Sequence, residues 1–159
     1  MQFYSTNRKT SPVSLREAVV RGLAADRGLF MPEVIRRFPP AFYQNMKEMT
    51  LREISFVVAE AFFGEDVEAG KLKEIVDETL NFDIPLVQVA DNRYSLELFH
   101  GPTLAFKDVG ARFMARLLAY FNKQEGERQV NVLVATSGDT GSAVANGFLD
   151  VPGVKVFVL

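Results

Sequence analysis

Apolar residues repeat at helical spacing through much of the first half of this chain and give way to strand-like runs in the second. Leu15, Val19 and Leu23 mark a short helix opened by Ser14-Leu15-Arg16-Glu17, which reads as a capping box, and ending near Gly22. Thr50-Leu51-Arg52-Glu53 repeats the device ahead of a helix whose expected buried stripe is Leu51, Ile54, Val58, Ala61 and Phe62, which Gly64 stops. Leu72, Ile75, Val76 and Leu80 form the apolar face of a third helix, with Lys71, Lys73, Glu74 and Glu78 on its solvated side. Asp26-Arg27-Gly28 is a predicted turn, with Gly28 expected at positive φ.

Near Asn81-Phe82-Asp83-Ile84-Pro85 the period changes, which places a domain boundary between residues 1–83 and 84–159. Tyr94 to Phe99 alternates as a strand does, and Gly101-Pro102 then turns the chain. Val109, Phe113, Leu117, Tyr120 and Phe121 follow at helical spacing, with Asp108 as the expected N-cap. Val130 to Ala135 is a β-branched run suited to a buried parallel strand; a loop, a helix of small residues, the Pro152-Gly153 turn and the run Val154 to Leu159 complete a βαβ unit. The reading is therefore α/β: a helical N-terminal domain, then the start of a parallel-sheet domain whose apolar edge is left open.

Composition narrows the chemistry. With 159 residues, no Cys and a single His, His100, the chain lacks thiolate metal ligands, cysteine nucleophiles and multi-histidine sites. A formal net charge of −2 with no basic stripe argues against nucleic acid or an anionic membrane as partner. No segment has the length of a membrane span or the order of a signal peptide, so a cytoplasmic location is expected. Lys, carboxylates, hydroxyls, backbone groups or a cofactor must carry any reaction.

Lys107 stands out because the pattern puts it between a strand and a helix start, where the positive end of the helix disfavours an ammonium while Asp108 pulls the other way. An amine with more of its neutral form attacks aldehydes better. Lys107 also reads as a solvated lysine whose stem covers apolar surface. The loop Thr136-Ser137-Gly138-Asp139-Thr140-Gly141-Ser142 joins a strand end to a helix start, which favours an anion; its plainer reading is a βα turn capped by hydroxyls and Asp139. Thr103 and Ser137 either meet a ligand or cap their own turns, and His100 before its turn is either a substrate contact or structural. Arg36-Arg37 invites a phosphate but reads equally as two solvated charges, while Arg112 and Arg116 line one side of their helix.

Three separated stretches carry a family resemblance. His100-Gly101-Pro102-Thr103-Leu104-Ala105-Phe106-Lys107-Asp108 resembles the pyridoxal-phosphate lysine motif of threonine synthases. Ala135 to Ser142 is similar to that family's Ser-Gly-Asp-Thr-Gly loop. Tyr4-Ser5-Thr6 with Gly22-Leu23-Ala24, Asp26, Gly28-Leu29 and Pro32 is similar to its N-terminal signature. The chain departs from the pattern at Asn7-Arg8, where Arg-Gly is usual, and at Arg27, where a second glycine is common.

The resemblance implies a fold-type II, tryptophan synthase β-like architecture, present only as an N-terminal portion. It implies a pyridoxal 5'-phosphate enzyme that makes threonine and phosphate from O-phosphohomoserine and water. Lys107 and Asp139 are carried over as cofactor-binding, with Lys107 also catalytic; Thr103, Ser137, Gly138, Asp139 and Thr140 are carried over as substrate-binding. The family's glycine-rich loop for the cofactor phosphate has no counterpart in these residues, so this portion alone is expected to be inactive or nearly so. The rival expectations are a pyridoxal-phosphate lyase for another γ-phosphorylated amine, and a non-catalytic module that binds anions or associates with itself.

Overall fold

In the computed structural model, which describes residues 1–124, 126, 128–136 and 138–159, the chain folds as two units, Met1–Asp77 and Glu78–Leu159. The first unit combines helices with a small antiparallel sheet that the apolar spacing did not announce. Strand β1 (Gln2–Ser5) lies between β2 (Val13–Ser14) and β3 (Phe30–Pro32), in the order β2-β1-β3. These strands are two to four residues long, too short for an alternating pattern to register. Tertiary pairing makes them strands: Phe3 lies opposite both Val13 and Pro32, and its side chain is buried.

Helix α1 (Leu15–Arg21) starts where the sequence says it should, with the Ser14 hydroxyl accepting from the Glu17 amide at 3.2 Å. It ends at Gly22 in a left-handed conformation (φ 71°), so Leu23 falls outside the helix and is exposed instead of joining its apolar face. A short α2 (Pro40–Asn45) and a 3₁₀ turn (Met46–Glu48) lead to α3 (Leu51–Phe63). There the capping box is complete: the Thr50 hydroxyl accepts from the Glu53 amide while the Glu53 carboxylate accepts from the Thr50 amide at 2.7 Å. Helix α4 (Ala69–Thr79) buries Leu72, Ile75 and Val76 as its spacing predicts, and Leu80 just beyond it is buried too. Arg36, one of the adjacent arginines, pairs with Glu65.

The Asp26-Arg27-Gly28 turn differs from expectation in an instructive way. Arg27, not Gly28, takes positive φ (65°). Gly28 is required for space: a Cβ there would stand 2.0 Å from Ser5 Oγ and 2.8 Å from the Asn7 amide nitrogen. Arg8 is left-handed as well (φ 52°), so both departures from the family pattern fall where glycine is the unstrained residue.

In the second unit, β4 (Leu86–Ala90) and β5 (Arg93–Leu96) form an antiparallel hairpin, and α5 (Lys107–Gln124) follows after a loop. The strand reading of Tyr94 to Phe99 thus holds only as far as Leu96; the Glu97 amide still reaches the Pro85 carbonyl at 2.9 Å, but Pro85 has no N–H to continue the ladder. The βαβ unit is present as predicted: β6 (Val130–Val134), α6 (Asp139–Gly147) and β7 (Val154–Val158), with β6 and β7 paired in parallel from Val130↔Val154 to Val134↔Val158. Its apolar runs are not covered on both faces, since Leu133 and Phe157, register partners, are 73% and 48% exposed.

Helices α5 and α6 pack closely where Gly147 meets α5; a Cβ on Gly147 would lie 2.9 Å from the Ala111 carbonyl carbon. Ala115 on α5 and Ala143 on α6 are fully buried, so small side chains line this approach.

Candidate functional site

Lys107 is the first residue of α5, half-buried, with its Nζ 4.4 Å from the centroid of the Phe106 ring. Asp108 is the second helical residue and therefore not the N-cap. Its fully buried carboxylate reaches back across the loop instead: Oδ1 accepts from the Thr103 hydroxyl at 2.6 Å and Oδ2 from the Thr103 amide at 2.9 Å. Gly101 is buried against this pair, and a Cβ there would come within 2.5 Å of Asp108 Oδ2. The loop is tightened further by the Leu104 amide on the Gly101 carbonyl (3.1 Å) and the Asp108 amide on the Ala105 carbonyl (3.0 Å). Between them Leu104 is left-handed (φ 57°) with an exposed side chain, a conformation costly for a non-glycine residue.

The base of the loop is anchored one helical turn later. The Arg112 guanidinium donates to the carbonyls of Glu78 (2.6 Å) and Thr79 (3.2 Å) and to Asn81 Oδ1 (3.0 Å), satisfying carbonyls that the end of α4 leaves open. Arg116 donates to the Glu78 carboxylate at 2.7 Å and to the Arg112 carbonyl at 3.1 Å. Desolvation, then the neighbouring Arg116, holds the Arg112 pKa below its ordinary value, against Asp108 and Glu78, which raise it. Of the two sides expected for these i, i+4 arginines, solvated or domain-facing, they take one on which each holds specific partners. His100 donates or accepts through Nε2 at 2.7 Å from Glu97, and its ring lies 4.8 Å from that of Phe99.

The second stretch is built around Thr136. Its Oγ1 accepts from the amides of Gly138 (3.0 Å) and Gly141 (3.2 Å), so of the hydroxyls and Asp139 expected to cap this turn it is a hydroxyl, two residues ahead of the N-cap, that does so. Gly138, the N-cap residue, has φ 141° and ψ −73°, a conformation open to glycine alone. Asp139 and Thr140 open α6, with Asp139 exposed and Thr140 half-buried; Ser137 lies outside the described residues. Gly141 is buried beside Val158 of β7.

The structure therefore joins Thr103 to Asp108 and, by adjacency, to Lys107, and separately ties Gly138 and Gly141 to Thr136, with Asp139 and Thr140 between them in sequence. Their hydrogen bonds are local to each stretch. What sequence reasoning missed is the partner of Asp108, which is Thr103, and which of the loop hydroxyls caps α6, which is that of Thr136.

The N-terminal signature organises polar groups of the first unit. Asp26 accepts from the buried Ser5 hydroxyl (2.5 Å), the Lys9 amide (2.9 Å) and the Gly28 amide (3.0 Å). These bonds, the Ser5 hydroxyl first, hold its carboxyl below the usual value against partial desolvation. Thr6 and Leu29 pair twice, through backbone and through the Thr6 hydroxyl, both at 2.9 Å. An open groove of about 350 Å³ lined by Tyr4, Arg8, Thr10, Pro12 and Glu33 lies here, and none of the expected site residues lines it.

Residues 2–80 match the family described as "Threonine synthase N terminus". Over all 159 residues the chain is 40% identical to threonine synthase from Serratia marcescens, of which it covers 36%. The chain matches the threonine synthase family through that family's N-terminal portion. The crystal structure of threonine synthase from Escherichia coli superposes with a TM-score of 0.91 at 39% identity, covering 99% of this chain and 36% of that one. A pyridoxal-phosphate-bound threonine synthase from Brucella melitensis gives 0.93 at 34% identity, with 99% and 35% covered. The chain thus spans about a third of the length of the relatives it matches.

Proposed function

We propose that this chain supplies the lysine-bearing part of a threonine synthase, a carbon–oxygen lyase acting on a phosphorylated substrate, O-phosphohomoserine. The observation that carries this reading is Lys107 itself: it opens α5, and among the described residues it has no ion-pair partner, its recorded neighbour being the Phe106 ring. The residues present fit the amine-binding end of pyridoxal phosphate, because Asp108, the nearest carboxylate in sequence, is engaged by Thr103 and leaves the amine free. Pyridoxal phosphate, when bound, supplies an aldehyde for amines and a ring that takes up an electron pair.

Lys107 would hold that aldehyde through its Nζ, and the same amine would move protons at the substrate's α, β and γ carbons. Ser137, Gly138, Asp139 and Thr140 orient the substrate carboxylate, with the α6 N-terminus favouring the anion and Asp139 also meeting the ring. Thr103 gives its hydroxyl hydrogen to Asp108, so what it offers a substrate is its oxygen as acceptor. Among the described residues no helix is long and apolar enough to cross a membrane, which agrees with a cytoplasmic enzyme of small-molecule metabolism.

Mixing the chain with pyridoxal phosphate, reducing with borohydride and mapping the product tests the reading. Selective modification of Lys107 is expected; label spread over surface lysines would leave the non-catalytic module. Product analysis with O-phosphohomoserine, on a longer relative carrying this sequence, separates threonine synthase from a lyase for another γ-phosphorylated amine. The 159-residue chain alone is expected to turn over little or no substrate.

A further inference from the structure

We infer that Thr103 and Asp108 form a clamp whose purpose is to position Lys107, an inference that rests on the proposed role of that lysine. The Asp108 carboxylate is fully buried, a position that is costly unless its lone pairs are satisfied. Thr103 satisfies both oxygens, one through its hydroxyl and one through its amide, which closes the loop of residues 103–108 on itself. Gly101 is the floor of this arrangement, since any side chain there would strike the same carboxylate oxygen.

Two consequences reach Lys107. Its backbone is held between a strained, left-handed Leu104 and a fixed Asp108, so the first turn of α5 has one conformation at the lysine. Adjacent helical residues do not face each other, and with Asp108 drawn back to Thr103 the lysine amine lies over Phe106 without an ion-pair partner among the described residues. A hydrogen bond to an ionised carboxylate is the strong kind, which suits holding a left-handed leucine in place. Thr103 is thereby a positioning residue acting through Asp108, whatever its oxygen also offers a substrate.

The test uses the 159-residue chain and three variants: Thr103→Val, which keeps the shape and loses the hydroxyl; Thr103→Ser, which restores it; and Asp108→Asn. Losing a hydrogen bond to a buried carboxylate is expected to speed amide exchange at residues 103, 104 and 108 by about tenfold in Thr103→Val. The methylation rate of Lys107 by formaldehyde and borohydride, measured against the exposed Lys47, is expected to rise toward the Lys47 rate in the same variant. Thr103→Ser is expected to return both readouts to the parent values, which a general loss of stability would not do. Asp108→Asn is expected to follow Thr103→Val; if it fails to fold, the threonine pair decides alone.

Unchanged exchange in Thr103→Val would overturn the clamp, and faster exchange with Lys107 methylation unmoved would overturn its action on the lysine. Pyridoxal-phosphate labelling of the parent is read separately. Label spread over surface lysines sinks the cofactor role of Lys107, while exchange and methylation still judge the clamp.

Discussion

In the first unit the motif residues are engaged with each other; in the second the central one is not. Ser5, Thr6, Asp26, Gly28 and Leu29 consume one another's donors and acceptors, and a missing Cβ at Gly28 makes the room. Lys107, by contrast, begins a helix with its amine over the Phe106 ring and no ion-pair partner among the described residues, although the groups around it are tightly bonded. The same contrast runs through the strands. β1 buries Phe3 and Ser5 within three strands, whereas the β6–β7 pair leaves Leu133 and Phe157 largely in solvent. One family signature thus ties its polar groups to each other across the first unit, whereas the hydrogen bonds of the other two stay local to their own stretches, a distinction that motif matching alone does not draw.

The comparison breaks most visibly at the glycines. Gly28→Ala pushes a methyl group into Ser5 Oγ and a backbone nitrogen and is expected to destabilise the first unit by about 3 kcal/mol, the upper end for overpacking. Urea unfolding with an unchanged slope would register it. Gly147→Ala meets backbone atoms at 2.9 Å and is expected to cost about 2 kcal/mol in the second unit, read from amide exchange along α5 and α6.

Smaller effects sharpen the contrast. Arg27→Gly is expected to stabilise the first unit by up to about 1 kcal/mol, because the left-handed penalty exceeds the entropy glycine adds to the unfolded chain. Leu133→Thr, at an exposed strand position, is expected to change stability by less than about 0.5 kcal/mol despite removing a large apolar side chain. An equal loss at Leu133 and at a buried position such as Leu117 would erase the difference between covered and open faces.

Acid titration adds a last check. The Asp26 carboxyl is depressed, so its contribution is present above its unfolded pKa and is lost as pH falls through the lower folded value. Stability followed from about pH 5 downward is expected to fall less steeply in Asp26→Asn than in the parent. Glu53 and Glu65, also depressed, keep part of the slope in both.

The helices with regular apolar stripes and capping residues were legible in the chain: α3 by its capping box, α4 with Leu72, Ile75 and Val76, and the βαβ unit; the stripe expected to be buried on α3 was not, since Leu51 is exposed and Ala59 is the residue of that helix that is buried. Short-range energetics specify these, since the cap and the stripe lie within a few turns of each other. The strands of the first unit were not legible, because two to four residues carry no period and their partners lie as far apart as Phe3 and Pro32. At the site, Lys107 and the Gly138 turn were legible as residue types in motifs. The bond from Thr103 to Asp108 was not, because Asp108 looks like a cap from its position and proves otherwise only by where its carboxylate points.

By itself, then, the order of residues determined the helices, the parallel pair, the family and the lysine, all of which follow from neighbours in sequence or from matched wording. Only the tertiary structure decided which glycine serves φ and which serves space, and which residue caps α6. It also decided that the carboxylate next to the lysine in sequence belongs to Thr103. Each of these depends on where a side chain or a missing Cβ ends up against atoms brought near by folding, and sequence spacing alone does not fix that direction.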